Sequence, residues 1–232
     1  TISKNYMNTA IDVIAEMIGY PAFDATEVES EREVVCEEIK MGMDSPGRSA
    51  SQLLFRSVFK KHPYGIPVIG YEQNVRSWSV KKIKNYYESR YVPSNMTLVI
   101  SGDFDEKETK KQVTQIFSVF KPNKLKKIKR TIEPLQNKPT FSGATKDIKE
   151  STYQLAWPIP NVKHKDVPAL DVLAMILGQG ETSRLYQKLR LNKTLVNNIS
   201  AFSYSPLDTG LFAISAKLTD QDPLEFGREL FR

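Results

Sequence analysis

The sequence has 232 residues, of which 40% are hydrophobic and 26% charged, and its formal net charge at pH 7 is +6. This composition is typical of a globular protein with one large domain or two smaller ones. No apolar run reaches the roughly 18 residues of a membrane-spanning helix, so we expect no transmembrane segment. The single cysteine, Cys36, excludes an internal disulfide.

The positive charge raises the question of nucleic-acid binding. Basic residues are densest in Lys121–Arg130, where six of ten positions are Lys or Arg. Single-strand binding proteins combine such charge with aromatic side chains on which bases stack, and this run has none. It also follows a predicted helix and contains Pro122 and Asn123, as an exposed linker would. We therefore expect a solvated linker and no nucleic-acid partner.

Helical patterns dominate the first part of the chain. Apolar residues recur at intervals of three or four from Met7 to Ile18, which predicts an amphipathic helix that ends at Gly19. Further helices are predicted over Asp24 or Thr26 to Met43, Ser49 to Lys60, Ser79 to Tyr91 and Glu106 to Phe120. A loop is predicted over His62 to Gly70. The apolar, β-branched run Met96 to Gly102 predicts a strand.

A second set of elements follows the basic linker. Strands are predicted over Tyr153 to Pro160, Leu195 to Tyr204 and Gly210 to Leu218, the last two paired around Pro206 to Thr209. Helices are predicted over Val167 to Leu177, Ser183 to Leu191 and Pro223 to Arg232. Helices of this length with few, hairpin-type strands are typical of α+β layers.

The predicted fold class is therefore α+β, in two-layer units whose helices pack on a mostly antiparallel sheet. We expect two related subdomains, residues 1–130 with the basic linker and residues 131–232. The first contains one clear strand, too few to make a sheet, so both subdomains are expected to be truncated.

The predicted second helix contains a carboxylate in an unexpected place. Its acidic residues are Asp24, Glu27, Glu29, Glu31, Glu33, Glu37 and Glu38. At about 100° per residue, most of them lie away from the apolar positions, as a solvated face requires. Glu31 lies three residues after Val28 and four before Val35, so we expect it to turn inward, with Asp24 two turns earlier on the same side.

An inward carboxylate needs a cation or a metal, because an unpaired buried charge costs several kcal/mol. A neighbouring arginine, Arg56 or Arg90, is one candidate partner, and a metal ion is the other. The two histidines, His62 and His164, lie about a hundred residues apart, and neither belongs to an H-x-x-E-H or H-E-x-x-H pair. His62 is expected to be a loop residue, and these patterns leave the partner of Glu31 open.

Four segments form an ordered series of motifs. They are VESEREVVCEEI at 28–39, HPYG at 62–65 with Gly70, YVPSNMTLVISGDF at 91–104, and GETSRLYQKLR at 180–190. The series resembles pitrilysin/insulinase-type zinc metallopeptidases, a family that includes mitochondrial-processing-peptidase-like proteins. The first segment resembles the helix that donates the third zinc ligand in that family, and the last resembles a helix of its second subdomain.

The resemblance implies roles for particular residues. Glu31 matches the third zinc ligand, and Asp24 stands where the family often has a second acidic residue behind the metal ligands. Arg190 matches the substrate-binding arginine, but Asn197 occupies the position of the tyrosine that accompanies it. The family's H-x-x-E-H motif, with two histidine ligands and the general-base glutamate, would precede Thr1, so no catalytic residue is predicted in this chain.

The resemblance therefore implies part of a zinc-dependent metalloendopeptidase that hydrolyses peptides or unfolded polypeptides by a metal-activated water. Zn²⁺ is expected in the intact protein and not in this fragment, which we expect to be inactive. The expected partners are a peptide substrate and a second half of the same chain or a homologous subunit. The alternative is a non-catalytic scaffold or partner subunit of the same family.

Overall fold

The computed structural model describes residues 1–123, 125, 128–218 and 223–232. The α-helices of this part of the chain are α1 (Met7–Gly19), α2 (Ala25–Asp44), α3 (Pro46–Val58), α4 (Glu72–Ser77), α5 (Val80–Arg90), α6 (Glu106–Phe117), α7 (Val167–Gly178) and α8 (Pro223–Leu230). Its strands are β1 (Thr152–Ile159), β2 (Val196–Tyr204) and β3 (Gly210–Leu218), and a π-helical turn covers Tyr186–Asn192. The predicted fold class, α+β with an antiparallel sheet, is confirmed.

The residues form two compact units, Thr1–Glu37 with Tyr71–Lys129 and Glu38–Gly70 with Arg130–Arg232. The contacts thus group residues 38–70 with the C-terminal part of the chain. The division into two related subdomains at residue 130 stays a prediction. No helix within the described ranges is both long enough and apolar enough to cross a membrane.

The first unit is helical. In α1 the buried residues are Ile11, on the predicted apolar face, and Ala15, whereas Ile14 of the predicted face is 41% exposed. The helix ends at Gly19, where a Cβ atom would lie 2.2 Å from the ring of Phe120, so a larger residue would require that ring to move. Ser79 accepts a hydrogen bond from the backbone N–H of Lys82 and begins α5, as predicted.

The strand predicted over Met96 to Gly102 is wrong for this structure. These residues form no ladder, and Val99 is 80% exposed. A strand needs a neighbour to satisfy its backbone N–H and C=O groups. The described residues of the first unit contain no other strand, so the apolar run stays irregular.

The second unit is built on a sheet of order β1-β3-β2, antiparallel throughout. Alternate residues of β3 enter different clusters, because side chains alternate between faces along a strand. Phe212 and Ile214 join the cluster that includes α7, α8 and the π-helical turn, whereas Leu211 and Ala213 join Leu54 of α3. Helices therefore cover both faces of the central strand, so this unit differs from the two layers predicted.

Close approach of α7 to the sheet depends on one glycine. A Cβ atom at Gly178 would lie 2.1 Å from the backbone N of Ala201 in β2. The helix predicted from Ser183 to Leu191 is π-helical from Tyr186 onward, and it is followed by Thr194 at a φ of 53°. The short helix α4 lies in a stretch without a clear apolar period and was not predicted.

Candidate functional site

Glu31 lies on the N-terminal half of α2, and its side chain is exposed. The expectation that it turns inward is wrong. The buried residues of this helix include Cys36 and Ile39, and Arg32 is half-buried, so the covered face is rotated away from Glu31. The prediction used only the apolar residues Val28, Val35 and Ile39. It therefore placed the centre of the covered face too close to Glu31, by about half of one residue's rotation.

No hydrogen bond or ion pair reaches Glu31 from any residue that the structure describes. Its neighbours on the helix are different. The carboxylate of Glu29 binds Arg32, and that of Glu33 binds Arg76. Glu31 therefore presents a free carboxylate between two engaged ones.

Asp24 caps the N-terminus of α2. Its Oδ1 accepts hydrogen bonds from the backbone N–H groups of Thr26, at 2.8 Å, and Glu27, at 3.1 Å. An aspartate in this position satisfies donors that the helix itself leaves unpaired. In this structure the carboxylate of Asp24 has a structural role as a helix cap. The role of Asp24 behind a metal ligand stays a prediction.

Two arginines connect α2 with the segment 72–78. Arg32 donates from Nη2 to the carbonyl oxygen of Trp78 at 2.7 Å. Arg76 places Nη1 at 2.7 Å and Nη2 at 3.2 Å from the two carboxylate oxygens of Glu33, and Nε at 2.9 Å from Glu72. These two carboxylates raise the pKa of Arg76 above its ordinary value. The guanidinium of Arg76 therefore connects the carboxylates of Glu33 on α2 and Glu72 on α4 by charge-assisted hydrogen bonds.

The described residues do not form a complete metal site. Across residues 1–123, 125, 128–218 and 223–232, no group of three or more His, Cys, Asp and Glu side chains is arranged to hold a metal ion. Catalytic zinc sites use three protein ligands and keep one position for water or substrate. The carboxylate of Glu31 is a single potential ligand and does not form such a site by itself.

Arg190 lies on the π-helical turn, where it is half-buried. Asn197 lies at an irregularity in the pairing of β2 with β3, and its side-chain amide donates to Glu150 at 2.8 Å. The amide of Asn197 is therefore engaged within the second unit. Substrate binding by Arg190 stays a prediction.

His62 is a buried loop residue, as the sequence indicated. Its Nδ1 accepts a hydrogen bond from the backbone N–H of Tyr64 at 3.2 Å, and its Nε2 lies 3.4 Å from Oδ2 of Asp208. Arg130 donates to the same aspartate oxygen at 3.0 Å. Both ring nitrogens thus face protein groups, and this geometry gives His62 a structural role in the loop.

Glu133 anchors the same loop and was not anticipated from the sequence. Its carboxylate accepts the backbone N–H groups of Lys60 at 3.0 Å, Lys61 at 2.9 Å and His62 at 2.7 Å. Burial alone would raise the pKa of Glu133, but the three N–H donors and the nearby imidazole outweigh it, and the pKa ends below its ordinary value. A cavity of about 210 Å³ adjoins this contact and is lined in part by Phe59.

Comparison with solved structures gives the class of protein. The chain is similar to a protease from Helicobacter pylori, with a TM-score of 0.92 and 26% identity over 99% of this chain and 57% of that one. It also shares the fold of pitrilysin, with a TM-score of 0.68 and 22% identity over 94% of this chain and 24% of that one. The fold is that of the pitrilysin-type peptidases.

The family follows from the sequence. A family model described as "Peptidase M16 inactive domain" matches residues 77–232, more than half of the chain, so the chain belongs to this family. The "Uncharacterized zinc protease YmxG" of Bacillus subtilis (strain 168) is 28% identical over 216 residues, which are 92% of this chain and 51% of that protein. The predicted resemblance is confirmed, and the chain spans about half the length of the curated relatives it matches.

Proposed function

We propose that the chain is part of a zinc-dependent metalloendopeptidase that hydrolyses peptides or unfolded polypeptides by a metal-activated water. The observation that carries the proposal is that relatives named zinc proteases match 92%, 97% and 90% of this chain. The family match supports it, and the exposed carboxylate of Glu31 on α2 is available as one metal ligand.

In this proposal Glu31 supplies one metal ligand. Two imidazoles and a general base would come from an H-x-x-E-H segment, which the 232 residues do not contain. Zinc, when bound, activates a water molecule and polarises the peptide carbonyl. Asp24 keeps the start of α2 in place through its cap, and Arg190 is proposed to bind the substrate main chain.

The proposed substrate is an extended peptide. It would lie between this half and either a second half of the same polypeptide or a homologous subunit, joined to a sheet edge by main-chain hydrogen bonds. The chain by itself offers a single carboxylate, which is a weak zinc site. We therefore expect the isolated chain to be inactive and to bind zinc weakly.

A non-catalytic partner subunit is the second candidate. The description of the matching family as an inactive domain, over residues 77–232, favours it. The two candidates differ in zinc content and in the effect of Glu31. A peptidase loses zinc and activity when Glu31 is changed, whereas a scaffold keeps its assembly with the partner and has neither property to lose.

The test uses the full-length polypeptide that carries this chain. Zinc content is measured by elemental analysis and cleavage with a fluorogenic unfolded peptide, for the wild type, Glu31→Gln and Glu16→Gln. Glu16 is the control because it is an exposed acid of the same unit on a different helix, α1. We expect one zinc per wild-type and Glu16→Gln molecule, and loss of zinc and cleavage in Glu31→Gln. Unchanged zinc and cleavage in Glu31→Gln would refute the proposal.

A further inference from the structure

His62 is a buried titratable residue that the proposed function does not use. The residue is 5% exposed, and its ring lies beside those of Phe59 and Tyr64, at centroid distances of 6.2 and 4.1 Å. A charged imidazole in this position loses most of its hydration. The protein groups that face the two ring nitrogens therefore decide what a proton on His62 does to the loop.

The Nδ1 atom of His62 closes the turn after α3. It accepts a hydrogen bond from the backbone N–H of Tyr64 at 3.2 Å and so caps the 3₁₀ turn Pro63–Gly65. A ring nitrogen accepts only while it carries no proton, so this bond requires the neutral imidazole with its proton on Nε2. A second proton converts the acceptor into a donor, and two N–H groups then face each other. Protonation of His62 therefore breaks the cap.

The contact at Nε2 gives the protonated ring little in return. Nε2 lies 3.4 Å from Oδ2 of Asp208, in the turn between β2 and β3, whereas charge-assisted hydrogen bonds are typically about 2.7–2.9 Å long. The same oxygen already accepts from Arg130 at 3.0 Å and from the hydroxyl of Tyr64 at 3.4 Å. Three donors thus share one carboxylate oxygen, and the guanidinium offsets its charge. A positive charge on His62 strengthens this contact only slightly.

The other charged groups around His62 oppose one another. The carboxylate of Glu133 accepts the backbone N–H of His62 at 2.7 Å and favours a positive imidazole, but it also accepts the N–H groups of Lys60 and Lys61. The exposed side chains of these two lysines and the guanidinium of Arg130 disfavour a further positive charge. The hydrogen bond at Nδ1 is therefore the contact that decides the response to protonation.

We propose that His62, Tyr64 and Asp208 form a pH-sensitive latch, which holds the loop after α3 on the β2–β3 turn while His62 is neutral and loosens when His62 is protonated. Phe59, at the end of α3, belongs to the apolar cluster on one face of β3, so the latch also holds this end of α3 against the sheet. All of these residues belong to the second unit. The inference does not depend on Glu31 or on zinc.

The size of the effect follows from the two ring nitrogens. Loss of a partly buried hydrogen bond shifts a local equilibrium about fivefold. A stronger contact with Asp208, whose side chain is 29% exposed and already paired, shifts it back by less than about twofold. We therefore expect the population of the open loop to rise about threefold to fivefold on protonation of His62.

The range of pH for the test separates His62 from Glu133. Burial raises the pKa of Glu133, but its three backbone N–H donors outweigh this and hold the pKa below its ordinary value of 4.5. Imidazoles as a class change charge between about pH 5 and 8. The chain has two histidines. His164 is a matched control, because its Nδ1 accepts the backbone N–H of Asp166 at 3.3 Å in an exposed loop.

The experiment measures amide hydrogen exchange of the 232-residue chain by NMR at about pH 7.5 and about pH 5.5, expressed as protection factors. The variants are His62→Asn and His164→Asn. The asparagine oxygen accepts from the N–H two residues later but takes up no proton in this range. The protection of the Tyr64 amide should fall about threefold to fivefold in acid in the wild type and in His164→Asn. It should stay constant in His62→Asn.

A second readout needs no variant. The nitrogen chemical shifts of the His62 ring in the wild type report which nitrogen carries a proton, and the loss of protection at Tyr64 should follow protonation of Nδ1. The latch is overturned if the protection of Tyr64 stays constant in acid, or if His62→Asn loses protection as the wild type does. Protection that rises in acid would also overturn it, because the pairing with Asp208 would then outweigh the lost cap.

Discussion

Removing the carboxylate of Glu133 should release the loop at residues 60–62. Glu133→Gln keeps the size of the side chain but replaces a charged acceptor of three backbone N–H groups with a neutral amide. The amide has one acceptor oxygen, so at least one N–H loses its partner. The rest of the loop, including the contact of His62 with Asp208, is left in place.

The expected cost follows from the three hydrogen bonds. Bonds to a charged group contribute about 1.5–3 kcal/mol, and glutamine recovers part of that. We therefore expect the free energy of unfolding to fall by about 2 kcal/mol. In a protein of this size each kcal/mol corresponds to about 2–4 °C, so Tm should fall by about 4–8 °C.

The effect should also depend on pH. The pKa of Glu133 in the folded chain lies below its ordinary value of 4.5. A depressed carboxylate pKa gives stability that is fully present above pH 4.5 and is lost as the pH falls through the folded value. The difference in stability between wild type and Glu133→Gln should therefore be constant near neutrality and shrink in acid.

Urea denaturation of the 232-residue chain, followed by circular dichroism from pH 7 down to about pH 3, measures this difference. Asp171→Asn is the matched control, since Asp171 is an exposed acid in the same unit. Equal stability of wild type and Glu133→Gln at pH 7 would show that the three N–H groups find water as readily as the carboxylate. A difference that persists unchanged at pH 3 would refute the charge-based reasoning.

Substitutions at Gly178, Phe226 and Asp24 test the packing and the helix cap, with Phe231→Ala and Asp24→Asn for comparison. Gly178→Ala should destabilise the chain by about 1–3 kcal/mol, because the new methyl meets the backbone of Ala201, and urea titration would show no loss if α7 can shift freely. Phe226→Ala should cost about 3–5 kcal/mol in the same assay, whereas Phe231→Ala, at a side chain 70% exposed, should be nearly neutral. Asp24→Ala should cost about 1 kcal/mol through the lost cap, and Asp24→Asn much less. Equal thermal melts for these two would argue against the cap.

The sequence was informative where a pattern is local. The period of α1, the serine cap of α5 and the hairpin of β2 and β3 each depend on neighbouring residues, and the structure confirms all three. The run Met96 to Gly102 has the composition of a strand but needs a neighbour from outside the first unit's described residues. Local composition cannot supply a pairing partner.

The candidate site shows the same limit. The motif around Glu31 indicated the right helix. The face of that helix that is covered includes the half-buried side chain of Arg32, which the apolar pattern did not count. The local sequence did not indicate a role for Glu133, because the backbone N–H groups that donate to its carboxylate lie about seventy residues away in the sequence. Arg76 likewise acts across 43 positions. Such long-range polar contacts become visible only after folding.

The irregular run from Met96 to Ser101, in which Leu98 and Val99 are exposed, has a practical consequence for the isolated chain. An apolar, β-branched stretch without a ladder is a template for another copy of itself, as in edge-to-edge aggregation. Self-association of the 232-residue chain should therefore rise with concentration. In sedimentation velocity, Val99→Lys should restore a monomer, since a charge in the middle of the stretch opposes stacking of like strands.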